Sequence, residues 1–217
     1  MIRTVEEFID KIADDLVWRR KELTDLRALV HGEKSSLRSK VLIRASVAVL
    51  YAHWEGFVKK SGSYYLEFVA AQRIPYGELT SNFVALKLKA KFKELGASGK
   101  IAGANALAEF FCTELETRSN LPFKNAVDTQ SNLTSTVLSD IISALGLDAS
   151  KFETRFKFID SNLVHPRNSI AHGEEILISM EDYSYLHDNV IILIESFRNE
   201  LENASVTKRY LRSSINS

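Results

Sequence analysis

Only three prolines and nine glycines interrupt the 217 residues of this chain, and that scarcity limits the fold more than any other feature. Proline and glycine are the strongest local punctuation in a sequence, so sparse breakers favour long helices. The apolar residues between them recur at three- and four-residue spacing. Thr4-Val5-Glu6-Glu7 reads as a capping box, and behind it Val5, Phe8, Ile9, Ile12, Leu16, Leu23, Leu26 and Val30 line one helical face up to Gly32. A second helix is expected from Ser35 or Ser36 to about Gln72, with Leu42, Ala45, Val49, Trp54, Phe57 and Val58 in its stripe. Pro75 and Gly77 mark a loop.

Beyond that loop, Leu86 to Lys93 alternates apolar and basic residues, which hints at a strand. Val84, Leu88, Phe92 and Leu95 also form a helical stripe, and Gly96 sits where a C-cap belongs, so helix is preferred. Further helices are expected over Ala104 to Glu116, Ser131 to Leu145 and Ser150 to Val164. A long final helix follows the cap Ser179-Met180-Glu181-Asp182, with Leu186, Val190, Leu193, Ile194, Phe197 and Leu201 as its stripe. No βαβ alternation and no internal repeat is visible. The fold class is all-α, and long helices with short loops imply an antiparallel bundle. One domain is expected over 1–205, with a flexible basic tail over 206–217.

Bulk chemistry excludes several classes. Twenty-eight basic residues balance 28 acidic ones, so there is no general basic coat for nucleic acid, although a local patch remains open. The single cysteine, Cys112, forbids an intramolecular disulfide and a cysteine metal cluster, and reads as a small core residue. His31 and His187 have no acid or cysteine constellation around them, so no metal and no cofactor is expected. No apolar run reaches the roughly 18 residues that span a bilayer. Early acids at Glu6, Glu7 and Asp10 do not suit a signal peptide. The expected location is the cytoplasm. There is no Gly-rich phosphate loop and no G-x-S-x-G elbow.

The stretch with the most chemistry is Arg167-Asn168-Ser169-Ile170-Ala171-His172-Gly173-Glu174. Pro166 suits the first position of a helix and Gly173 the residue just past its end, which predicts a very short helix carrying Arg and His. Arginine holds phosphate with a planar fork, and histidine moves protons near neutral pH. Arg167 and His172 stand about 140° apart round an ideal helix, so they do not share a face. Asn168, four before His172, does share its face and can orient the imidazole or bind phosphate. His165 precedes a proline and is expected in a loop. The plain alternative is an Arg and a His satisfying carboxylates such as Asp160 or Glu174.

In the second helix Arg44, Tyr51 and Glu55 share a face and can support the motif helix, bind RNA, or simply hold the bundle together. Lys87, Lys89, Lys91 and Lys93, with Lys100, face only Glu94 among nearby acids. They form either an RNA backbone track or an ordinary solvated face. Arg19, Arg20 and Lys21 read the same way.

The run from Phe158 to Glu174, and the run from Arg44 to Lys59 in the second helix, resemble the HEPN superfamily, the latter its bacterial MAE-like nuclease branch. The resemblance covers most of the chain and is most specific at these two segments. It implies a helical bundle, with helices added to the HEPN core, that dimerises. It also implies a metal-independent endoribonuclease acting on RNA, with catalytic roles on Arg167, Asn168 and His172. One His per chain suggests that two motifs face each other across a twofold axis. A toxin or anti-phage effector, with a cognate antitoxin or defence partner, fits that family. So does a non-catalytic module binding RNA or protein. HEPN toxins regulated by AMP transfer carry a tyrosine where this chain has Glu174, so the resemblance does not extend to that regulation.

Overall fold

The computed structural model describes residues 1–94 and 101–212. It is all-α, and among the described residues there are two isolated bridges and no strand. Two long helices come first, α1 (Val5–Gly32) and α2 (Ser36–Gln72). A short turn at Tyr76–Glu78 leads to α3 (Ser81–Glu94), and α4 (Ile101–Glu109) widens into a π-helical turn at Phe110–Glu114. Then come α5 (Ser135–Leu145), α6 (Ser150–Glu153), α7 (Phe156–Phe158), a π-helical segment at Ile159–Val164, α8 (His165–Ala171) and the long α9 (Met180–Val206).

The ends of the long helices follow local chemistry. Thr4 accepts the Glu7 amide at the start of α1, and Ser179 and Asp182 close a reciprocal capping box on α9. Cross-helix contacts fix the directions. Asp15, Glu22 and Arg3 on the α1 side meet Lys60, His53 and Gln72 on α2, so the two helices run antiparallel. Arg20, Arg27 and His31 meet Glu195, Asp188 and Ser184, so α1 is antiparallel to α9 as well. Helix α2 lies at the centre, packed on α1, α9, α5 and α8. Its composition and length match a membrane span, yet half of that window is buried inside the bundle. A helix that is apolar on most sides is what a core position demands. Trp54, Phe57 and Phe152 pack edge-on around Phe197, and Phe8, Tyr65 and Phe68 form a second aromatic cluster.

Several expectations need correction. Arg19 is no solvated charge: it is buried, donates to Asp15 at 2.6 Å and to the His53 carbonyl at 3.3 Å, and stacks on Trp18. Cys112 is exposed, because the π turn points Phe110 inward in its place. Helix α5 begins at Ser135, four residues later than expected, with Thr134 accepting the Val137 amide as its cap. The helix expected over Ser150 to Val164 is broken into pieces. The tail docks as far as Arg212. Tyr210 is buried against Phe68, Arg209 pairs with Glu200, and the Arg212 amide donates to the Glu78 carbonyl. Gly96, Lys100 and residues 213–217 lie outside the described residues.

Asp15 carries the polar seam between α1 and α2. Burial alone would raise its carboxyl, but hydrogen bonds from Arg19, Lys60 and Trp18 overcome that and hold it below the usual range. Removing the carboxylate leaves Arg19 buried with only a carbonyl partner. Asp15→Ala is expected to cost about 3 kcal/mol, lowering the melting temperature by on the order of 10 °C. A carboxyl lowered in the folded state stabilises fully above about pH 4 and loses that stabilisation as pH falls through the folded value. Melting curves between pH 7 and pH 3 should therefore be flatter for Asp15→Asn than for the parent.

Candidate functional site

Helix α8 follows a π-helical segment, which explains how a proline can sit inside a continuous helical path. Pro166 has no N–H, and its ring would strike the carbonyl four residues back in a regular α-helix. Widening the preceding turn relieves that conflict; the His165 amide donates to the Asp160 carbonyl, five residues back. His165 is thus helical and exposed, not loop-borne. Asp160 is fixed in turn, accepting the Ser135 amide at 2.8 Å and the Ser135 hydroxyl at 2.5 Å.

The end of α8 is equally determined. Gly173 has φ +77, the left-handed region that glycine enters at least cost. Its amide donates to the Ile170 carbonyl at 3.1 Å and the Glu174 amide to the Ser169 carbonyl at 2.9 Å, which is a Schellman motif. This leaves His172 as the last residue of the turn, with its amide on the Asn168 carbonyl and its imidazole exposed. Among the described residues the imidazole has no hydrogen-bond partner.

Arg167 is held quite differently. Its guanidinium lies over the Tyr51 ring, 4.8 Å from the centroid. One nitrogen, Nη1, donates to Asn132 Oδ1 at 2.6 Å and to Asn168 Oδ1 at 2.8 Å. A guanidinium has five N–H donors. The two on Nη1 are used, and among the described residues the three on Nε and Nη2 are not. That remaining edge is the one that takes an oxyanion with two parallel hydrogen bonds. The carboxylate alternative is not realised, since no ion pair of Arg167 occurs among the described residues. Asn168 is turned to Arg167 and does not orient His172; a hydrogen bond to a charged group is the stronger one.

Tyr51 and Glu55 are one helical turn apart on α2 and both grip the loop before α5. The Leu133 amide donates to the Tyr51 hydroxyl at 2.6 Å, and the Thr129 hydroxyl donates to Glu55 at 2.7 Å. Burial pushes the Tyr51 phenol up to about 12; the Glu55 carboxylate adds to this, while the Leu133 amide and Arg167 oppose it. Gly62 on α2 lets the loop approach, since a Cβ there would stand 3.2 Å from both Val127 and Leu145. Arg44 does not join this group. It donates to the Ile176 carbonyl at 3.4 Å and lines an open groove with Lys40 and residues 173–178.

The lysine row is only partly open. Lys89 is exposed at the edge of a cavity of about 130 Å³ shared with Asp128, Gln130 and Asp140; Lys87 is half-buried; Lys91 pairs with Glu114 at 2.8 Å. Glu114 was not visible as a partner because it lies on the next helical unit. The sequence also gave no sign of Thr129 and Asn132, polar residues in a loop without periodicity. No group of three or more metal-ligating side chains occurs among the described residues.

A family model described as RiboL-PSP-HEPN matches residues 14–203, which include α2, the loop before α5 and the whole motif helix. The HEPN resemblance of the two motif segments is thereby shown; the MAE-like branch is not what this model describes. Comparison with curated proteins gives no match, and comparison with solved structures gives none.

Tyr51→Phe keeps the ring under Arg167 and removes the acceptor of a buried amide. An unsatisfied buried donor costs about 1–3 kcal/mol. Chemical denaturation should show a loss of this size, with the slope on denaturant unchanged.

Proposed function

The chain belongs to the RiboL-PSP-HEPN family, and from that premise we propose that it is a metal-independent endoribonuclease that cleaves single-stranded RNA. Membership by itself points to a nuclease or an RNA-binding module. The observation that carries the catalytic reading is the Nε–Nη2 edge of Arg167, without a partner among the described residues, on the seven-residue helix that the exposed His172 closes at its C-terminal end.

The reaction follows from these groups. The ribose 2′-hydroxyl attacks the adjacent phosphorus, and its proton passes to an imidazole acting as general base. The bond between phosphorus and the 5′ oxygen breaks, and a second, protonated imidazole gives its proton to that leaving oxygen. The Nε–Nη2 edge of Arg167 neutralises the charge that builds on the non-bridging oxygens. Asn168 keeps Nη1 engaged and leaves the +1 charge intact. The products are a 2′,3′-cyclic phosphate and a 5′-hydroxyl.

One chain offers one such histidine, so the second imidazole comes from a second copy. The surface beside His172 suits that arrangement. Leu37 and Val41 are exposed on the face of α2 that carries Arg44, and Leu177 is exposed across the groove. Lys40 and Arg44 stand next to Glu174 and Glu175, so a twofold pairing can match opposite charges. A cytoplasmic toxin or anti-phage effector, restrained by an antitoxin or defence partner, is the setting we propose. The rival reading, an RNA-binding module without cleavage, draws on the same Arg167 edge and needs no second histidine.

The test is RNA cleavage by purified protein in EDTA, with product ends read by mass spectrometry. His172→Ala should slow cleavage by about 10²- to 10⁴-fold. Cleavage by that variant at the parent rate would falsify the assignment. Expression of the parent should slow bacterial growth, and Arg167→Ala should relieve it. RNA binding with no cleavage by the parent favours the rival module.

A further inference from the structure

Arg167 is fixed by a segment far from it in sequence, and this segment carries a role that the motif does not reveal. We propose that Asn132 is a positioning residue for Arg167, and that the loop of residues 129–134 forms a third wall of the phosphate site. The inference rests on Arg167 being the phosphate-holding group.

The loop has little freedom of its own. Val127 and Leu133 are buried in the core. Thr129 is buried and donates to Glu55, and Gln130 turns the chain at φ +54 with its amide on Asp128 Oδ1. The Leu133 amide is tied to Tyr51, and Thr134 caps α5 while its amide returns to the Asn132 carbonyl at 2.9 Å. Asn132 thus sits between two anchored residues, with its side-chain oxygen 2.6 Å from Nη1 of Arg167. The loop acts on Arg167 twice. Asn132 holds the guanidinium directly, and Leu133 holds the Tyr51 phenol whose ring lies beneath it.

The chemistry of the holding groups is specific. Both acceptors on Nη1 are carboxamides, Asn132 and Asn168. A carboxylate in either place would grip the guanidinium more strongly and cancel the charge that a phosphate needs. An amide sets direction and leaves the charge free. Pre-setting a long, flexible side chain removes an ordering cost that binding would otherwise meet.

Asn132→Asp separates this proposal from a merely structural role, because it moves stability and activity in opposite directions. The variant should melt at the parent temperature or above it. Its affinity for a short 2′-O-methyl RNA, which cannot be cleaved, should fall at least tenfold, and its kcat/KM on ordinary RNA should fall further. Asn132→Ala should lower kcat/KM by about 10- to 100-fold, as expected when a reacting group loses its alignment. In an Arg167→Ala background neither change should have a further effect. Asn132→Asp cutting and binding RNA like the parent overturns the proposal, as does an Asn132→Ala effect that persists undiminished without Arg167. Nitrogen-15 spectra of the arginine side chains read the clamp without RNA. Slow rotation of the Arg167 guanidinium in the parent, lost in Asn132→Ala, supports the positioning role, and unchanged rotation overturns it. If the parent neither binds nor cuts RNA, the phosphate reading fails, and these spectra still decide whether Asn132 positions Arg167.

Discussion

Helix α2 packs against four other helices, and the polar contacts of one of its turns organise the candidate site. Tyr51 supplies a flat ring for Arg167 and a hydroxyl for the Leu133 amide, while Glu55 takes the Thr129 hydroxyl. Both side chains sit in a helix packed against α1, α5, α8 and α9, so they cannot shift without disturbing the core. The loop before α5 and the motif helix are therefore positioned by the same turn. The Asp15–Arg19 seam does a related task on the opposite flank, tying α1 to α2 through the His53 carbonyl.

The arginine and the histidine of the motif are treated in opposite ways. Arg167 is ordered from three directions, and Asn168 on its own helix spends its side-chain oxygen on that ordering. His172 is fixed through its backbone by the Schellman turn at Gly173, and its imidazole projects free. In the reaction we propose, the group that holds an anion gains from being pre-set, whereas the proton carrier must meet a substrate atom whose place the anion site defines.

Much of the architecture is legible in the sequence because its signals are local. The caps at Thr4 and Ser179 and the apolar stripes placed α1, α2 and α9 closely, and the Arg-to-His motif stood out in the short helix it forms. What stayed hidden depends on contacts distant in sequence. Asn132 is indistinguishable from any loop asparagine until Arg167, 35 residues on, is brought beside it. Arg19 sits in a charged run that reads as surface, and only the fold shows it enclosed. The docking of residues 207–212 depends on Leu79, Glu78 and Glu200, which no local pattern links to them. The rule that the residue before a proline avoids helix misplaced His165, which takes φ −61 and ψ −54 because the π-helical turn upstream carries the helical path on into Pro166.

In the proposed reaction a ribose hydroxyl, with no metal, attacks a phosphate held by Arg167. A single 2′-deoxy substitution at the nucleotide on the 5′ side of a mapped cleavage position tests this most directly. The protein, in EDTA, should cut the all-ribose oligonucleotide at that position and leave the substituted one intact there. Equal cleavage of both, or cleavage that requires an added divalent metal, would contradict that reaction.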